Sequence, residues 1–341
     1  MNVFAGTIAP GDVAAAGNLA AVPEPSAVAL IGMGLVLLVL RWGCDSRILL
    51  RSGMTCLLLI GVMAPSSSAE LVGWWKLDET SGLVAGDSSA SVRDGELIGL
   101  TGTEWVDVDG EVSGLGGAIQ LDGVVSNYID LGEAAGDLNP GAGTFSVASW
   151  MKVTDAGSRF NTAFGFGDCC NHSSDRDAIE FGYEATGLKR TIFSIDARGE
   201  GGNEMEMLRP FAQTPVDRWV HMVGVRELDG TSSLYVHSFE ANGGSGGLEL
   251  SATDDRVTGL LVPTGDNGDA NRINIGRTPF SGGDRAAHAQ IADVQFYHQA
   301  LTEAEALQLF ENPGTSLSSG PVETPDTFSW RKDLSIHISG Q

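Results

Sequence analysis

Trp219-Val-His-Met-Val-Gly-Val-Arg226, followed by Asp229-Gly230 and then Ser232–Phe239, reads as two strands joined by a tight turn. Trp219, His221, Val223 and Val225 alternate with Val220, Met222, Gly224 and Arg226. That period of two is what a strand imposes on its two faces. An Asp-Gly pair accepts the positive φ that hairpin turns require. A chain built from such hairpins is an antiparallel β protein.

The same signature recurs on both sides of this hairpin. Short runs rich in β-branched and aromatic residues, bounded by turn residues, predict strands at Leu71–Leu77, Ala118–Leu121, Tyr128–Leu131, Thr144–Val153 and Ala178–Tyr183. Further strands are expected at Thr191–Asp196, Arg272–Gly276 and Gln290–Tyr297. One helix is expected near the end. Thr302 and Glu305 form a capping box, and Ala304, Leu307 and Leu309-Phe310 supply its apolar contacts. Beyond Asn312-Pro313 the chain is rich in Ser, Gly, Pro and Thr, the composition of a linker. No internal repeat is evident.

The 341 residues carry a net charge of −24, from 44 acidic and 20 basic residues. Before Glu70, Arg41, Arg47 and Arg51 balance Asp12, Glu24 and Asp45, so the whole excess lies on residues 70–341. Such a surface repels nucleic acid and suits a soluble extracellular protein or one with bound cations. The 46 glycines fit a fold with many turns.

The first 69 residues contain two signals. Arg47 and Arg51, the apolar run Met54–Ala64 and the small residues Ser67 and Ala69 have the form of a secretory signal peptide cleaved after Ala69. Upstream, Val22-Pro-Glu-Pro-Ser26, the uncharged run Ala27–Leu40 and Arg41 resemble a PEP-CTERM sorting signal of bacterial surface proteins. Those signals close a chain, whereas this one lies near its start. We therefore expect residues 1–46 to derive from an upstream reading frame, 47–69 to be the signal peptide, 70–312 the folded domain and 313–341 a disordered tail. Export to the cell surface or medium follows, with membrane contact only through the leader.

The order of elements carries a second resemblance. Leu71-Val-Gly-Trp-Trp-Lys-Leu-Asp-Glu-Thr-Ser-Gly82, Gly117-Ala-Ile-Gln-Leu-Asp-Gly123 with Tyr128-Ile-Asp-Leu131, and Phe145-Ser-Val-Ala-Ser-Trp-Met-Lys152 succeed one another along the chain. Ile275-Gly-Arg277, then Ile291-Ala-Asp-Val-Gln-Phe-Tyr297 with Ala300-Leu301 and the capped helix, complete the series. Together they resemble the LamG-like, concanavalin A-like lectin/glucanase jelly rolls. The resemblance implies an antiparallel β-sandwich with Trp74 or Trp75, Trp150 and Phe296 in its core. It also implies a binding module for carbohydrate or an extracellular protein partner, rather than an enzyme.

Three sets of residues bear on chemistry. Asp175-Arg-Asp177-Ala-Ile-Glu180 resembles the carboxylate strand of family 16 glycosidases. That likeness implies Asp175 as nucleophile, Asp177 as helper and Glu180 as acid/base on β-glucan, with a bulge bringing Glu180 round to the same face. In the pentraxins, a related fold, an Asp at a similar strand start helps to hold calcium, and Asp177 matches it. Asp266-Asn-Gly-Asp269 with Asn271 is an oxygen-rich loop of the kind that can ligate Ca2+; Asp87, Asp94 and Asp122 form a more scattered set. Cys169-Cys170-Asn171-His172 precedes the acidic strand and would rim a ligand site with Asp177. The adjacent cysteines can close a strained disulfide ring, stay reduced or bridge to a partner. Gly243-Gly-Ser245-Gly-Gly247 matches a nucleophile-elbow pattern but is followed by strand-like Leu248–Leu250 rather than a helix, so it reads as a hairpin loop. A purely structural role in the extracellular matrix is the remaining alternative.

Overall fold

A computed structural model describes residues 70–133, 138–155, 160–168, 177–185, 189–199, 202–209, 213–214, 216–238, 249–253, 261, 272–279 and 285–317. In chain order the strands are β1 Leu71–Trp75, β2 Val84–Ala85, β3 Gly95–Ile98, β4 Trp105–Asp107, β5 Gly117–Gln120, β6 Tyr128–Glu133, β7 Phe145–Val153 and β8 Phe160–Asp168. They continue with β9 Asp177–Glu184, β10 Arg190–Gly199, β11 Gly202–Leu208, β12 Val220–Arg226, β13 Ser232–Ser238, β14 Glu249–Thr253, β15 Arg272–Ile275 and β16 Ala289–Tyr297. The helix α1 spans Glu303–Glu311.

Two antiparallel sheets form a sandwich. The first runs β14-β13-β12-β7-β16-β5-β4, with β1 also paired to β16; the second runs β11-β10-β9-β8-β15-β6-β3-β2. The hairpin of β12 and β13 has Arg226 opposite Ser232, and Gly230 at φ +85° turns the chain between them. Alternate residues of both sheets meet in one core that includes Trp75, Phe145, Phe164, Phe181, Phe193 and Phe296. Each buried aromatic of this kind stabilises the fold by roughly 1.5–3 kcal/mol relative to exposure. Phe296 stacks on both Phe145 and Phe164, at centroid distances of 5.8 and 5.6 Å, and so ties the two sheets together.

Of Trp74 or Trp75, expected in that core together with Trp150 and Phe296, it is Trp75 that is there, and Phe296 is there too. Trp74 is not; its indole N–H donates to Asp293 at 2.7 Å. Trp150 is fully buried, but on the outer face of the first sheet, stacked on Phe310 of α1 at 5.5 Å. The helix explains the difference. Thr302 and Glu305 cap each other reciprocally, as their spacing predicts, and Ala306, Leu309 and Phe310 are laid against the sheet. Every residue of β12 is therefore buried, and outward-facing Trp150 is as dry as an inward one.

The folded chain also runs past Asn312. The Gly314 N–H donates to Asp293, the Leu317 N–H donates to the Tyr297 hydroxyl, and Leu317 is buried against the helix cluster. Asp293 sits at φ +51°, where the pairing of β16 with β7 slips between Ala292 and Gln295. Asp is among the residues that tolerate this left-handed region. Its carboxylate is buried at this bulge, where it also accepts from Gln295 at 2.8 Å. Residues 1–69, including the sorting-like motif and signal peptide expected there, lie outside the described residues, as does 318–341.

Candidate functional site

The two sheets treat their outer faces differently. The outer face of the first is closed by α1 and by apolar residues such as Val108, Val112 and Leu115. The outer face of the second carries polar side chains. Strand alternation explains why: Ile129, Ile273, Phe166, Ile179 and Ile195 point into the core, so their neighbours point away.

Cross-strand register sets these neighbours in a line. Ser194 is opposite Glu180, Glu180 opposite Gly165, Gly165 opposite Asn274, Asn274 opposite Asp130 and Asp130 opposite Glu96. One polar row thus crosses β10, β9, β8, β15, β6 and β3. At one end Glu180 is buried, pairs with Arg285 and accepts from the Thr162 hydroxyl at 3.2 Å. The Arg285 guanidinium lies over Phe160 at 4.3 Å. Gly165 is glycine for a reason of space: a Cβ there would stand 2.6 Å from the Arg277 carbonyl oxygen and 2.8 Å from the Thr278 Cα. The Arg277–Pro279 segment therefore passes directly over the middle of the row.

The other end is open. Tyr128, Asp130, Arg272 and Arg277 are half-exposed and Glu96 is exposed. Arg272 holds Asp130 through two hydrogen bonds, with Nε to Oδ1 at 3.0 Å and Nη2 to Oδ2. The Arg277 guanidinium stacks on the Tyr128 ring at 3.7 Å. Asn274 is fully buried; with its amide oxygen toward Arg277, it accepts from Nε at 3.2 Å and donates to the Ile273 carbonyl at 2.9 Å. An aromatic face, a carboxylate pair and fixed guanidinium donors thus stand side by side. Guanidinium groups held in place in this way can hydrogen-bond in pairs to a planar acceptor.

The residues singled out in the sequence are distributed as follows. Asp177 and Glu180 both lie on β9, and both are buried. They differ in phase: Asp177 alternates with Ile179, Phe181 and Tyr183 of the core, and Glu180 with the outward set. Pairing of β9 with β10 is unbroken from Ala178 to Glu184; the irregularity is in β8, between Thr162 and Phe164. The bulge expected to bring the two carboxylates onto one face is therefore not in β9. Asp175, Asn171, His172, Cys169, Cys170, Asp266, Asp269, Asn271 and the 243–247 loop lie outside the described residues.

Asp87 uses both carboxylate oxygens within its own turn and toward β1, accepting from Ser89 N, Ser89 Oγ, Arg93 N and Trp74 N at 2.8–2.9 Å. Asp94 accepts from Asp87 N, and Asp122 from Val124 N and Asn127. Among the described residues no group of three or more His, Cys, Asp or Glu is placed to hold a metal ion. Glu96, Asp130, Arg272, Asn274 and Arg277 are given no chemical role by the sequence reading, although Asp130 and Arg277 lie within its family-like motifs. For Arg272 and Asn274 the signal was present in Arg272-Ile-Asn-Ile, where polar and apolar residues alternate on a buried strand.

Burial perturbs several groups away from this row. Burial raises the Asp293 carboxyl above its ordinary value, against the hydrogen bonds from Gln295, Trp74 and Gly314 that lower it. Burial also pushes His237 down to about 4 and His221 well below 6.5, the latter helped by the neighbouring His237.

Similar solved structures include a Trypanosoma rangeli sialidase in complex with the inhibitor DANA, at 14% identity and TM-score 0.44, covering 70% of this chain and 32% of that one. The enzymatically active domain of bacteriophage CBA120 tailspike protein 2 matches at 11% identity and TM-score 0.42, covering 76% and 33%. The botulinum neurotoxin serotype G binding domain matches at 12% and 0.37, covering 71% and 51%. The chain spans only about a third of the length of the first two. A search of curated proteins gives no match. The family profile described as concanavalin A-like lectin/glucanases superfamily, Laminin G type 3, matches residues 122–306, more than half of the chain. With a two-sheet antiparallel sandwich and a match of this extent, the protein belongs to the concanavalin A-like lectin/glucanase superfamily.

Proposed function

We propose that this chain is an exported, non-catalytic carbohydrate-binding module, and that it reads its glycan on the outer face of the second sheet. The observation that carries the reading is the polar row from Ser194 to Glu96, with Tyr128 and Arg277 at its open end. On the opposite outer face α1 and its apolar contacts cover much of the sheet. Loops near Phe166–Asp177 and Asp266–Asn271 would extend the contact at the rim, and a Ca2+ ion held by Asp266, Asp269 and Asn271 would serve there. Export rests on the leader sequence and the acidic surface.

A glycosidase reading is the alternative. A retaining mechanism needs two carboxyl groups about 5 Å apart on one face. In that reading the pair would be Asp175 and Glu180, with Asp177 as helper; the opposite phases of Asp177 and Glu180, which part the helper from the acid/base, and the Arg285 guanidinium paired with Glu180 are what support binding instead. The test is a glycan array probed with the full chain, beside an assay for reducing ends released from β-glucan. Binding that falls about tenfold or more in Tyr128→Ala, without release of sugar, supports the proposal. Hydrolysis lost in Glu180→Gln would replace it with the glycosidase reading.

A further inference from the structure

We infer that the open end of the row is a subsite for the carboxylate of an acidic sugar, a uronic acid, with the Arg277 guanidinium as its anchor. The inference rests on the glycan-binding reading and names the class of sugar.

The charge balance of the row singles out Arg277. Arg272 is closed by Asp130 and Arg285 by Glu180. Arg277 has no carboxylate partner among the described residues, although acidic residues outnumber basic ones 44 to 20 in the chain. It is nevertheless held in place. Its Cζ lies 3.7 Å from the Tyr128 ring centroid, and its Nη1 donates to the Val125 carbonyl at 3.0 Å. With the Asn274 amide oxygen toward it, its Nε donates at 3.2 Å. Gly276, at φ +91°, delivers it to this position.

These contacts use Nε and one hydrogen of Nη1. The second Nη1 hydrogen and both Nη2 hydrogens are left over, forming a planar fork. Such a fork matches a carboxylate bidentately. Because the side chain is already fixed by stacking and by two hydrogen bonds, little rotamer entropy is lost when the anion arrives. Tyr128 and the neutralised Arg272–Asp130 pair then flank the sugar ring. Glu96, exposed and directly opposite Asp130, is the carboxylate of the row that opposes the anion.

Titration calorimetry of the full chain with tri-galacturonic acid and with its methyl ester, both in the presence of a chelator, tests the inference. The two probes share one sugar backbone and differ in the carboxyl, charged in one and a neutral methyl ester in the other, and the chelator removes any calcium bridge. The free acid is expected to bind about tenfold tighter than the ester, the scale of one charge-assisted pair. Arg277→Gln should erase the difference. Glu96→Gln should widen it, and because Glu96 is exposed this variant does not disturb the core. Equal binding of acid and ester, or a preference that survives Arg277→Gln, overturns the inference and leaves the glycan reading standing. Failure of both probes, and of every neutral glycan on an array, overturns both.

Discussion

His221 on β12 and His237 on β13 stand directly opposite each other, with ring centroids 5.9 Å apart. Phe310 of α1 is stacked on His237 at 4.9 Å, and Trp150 lies 5.1 Å from His221. Two imidazoles are thus enclosed in aromatic surroundings beneath the only helix among the described residues. Burial keeps both neutral, and His237 takes a proton only near pH 4.

This enclosure has a consequence for stability. In the unfolded chain both histidines titrate near 6.5, whereas the folded protein refuses the protons until the pH is far lower. Stability is therefore full above about pH 6.5 and falls as the pH drops toward 4, by roughly 1.4 kcal/mol per pH unit for each histidine. The Asp293 carboxyl, raised by burial, works in the opposite direction over the carboxylate range. Urea midpoints measured at pH 7.5 and pH 5 should differ clearly in the wild type, and His237→Phe should remove a large part of the difference. Identical midpoints in the wild type would contradict the assignment.

Phe310 is the residue through which α1 grips the sheet, since it contacts Trp150, His221 and His237. Phe310→Ala should cost about 3–5 kcal/mol, the usual result of emptying a buried aromatic site. It should also change the near-ultraviolet circular dichroism of Trp150. Thr302→Ala removes only the cap and should cost about 1 kcal/mol. A cap variant as destabilised as the Phe310 variant would mean that the helix is held chiefly by its own end and not by its packed face.

Gly165→Ala tests the crossing of the polar row by the Arg277–Pro279 segment. The added methyl would meet backbone atoms of Arg277 and Thr278, which cannot rotate away. A loss of about 1–3 kcal/mol is expected, as for an overpacked site, together with weaker glycan binding. A neutral Gly165→Ala in both assays would place the segment elsewhere.

The parts of this molecule that are legible in its sequence are those with local signals. The β12–β13 hairpin announces itself by alternation and Asp-Gly, and α1 by its capping box. Strand β8 is harder to read. In Phe160-Asn-Thr-Ala-Phe-Gly-Phe-Gly-Asp168 the outward positions Gly165 and Gly167 look like loop residues. Gly165 is small because another segment crosses over it, which only the fold reveals. Trp150 is expected in the wrong layer for a related reason. Alternation separates the two faces of a strand but does not say that α1 has made both of them dry. The candidate site is the least legible part. Asp130 and Arg272 lie 142 residues apart in the chain, and the row joins six strands whose register no local pattern records.

The most direct test of the proposed binding face is hydrogen–deuterium exchange of the full chain with and without a bound oligosaccharide. Protection at residues 95–98, 128–133 and 272–278 is the result expected from binding on the polar row. Protection confined to 303–311 and β13, on the opposite outer face, would contradict it.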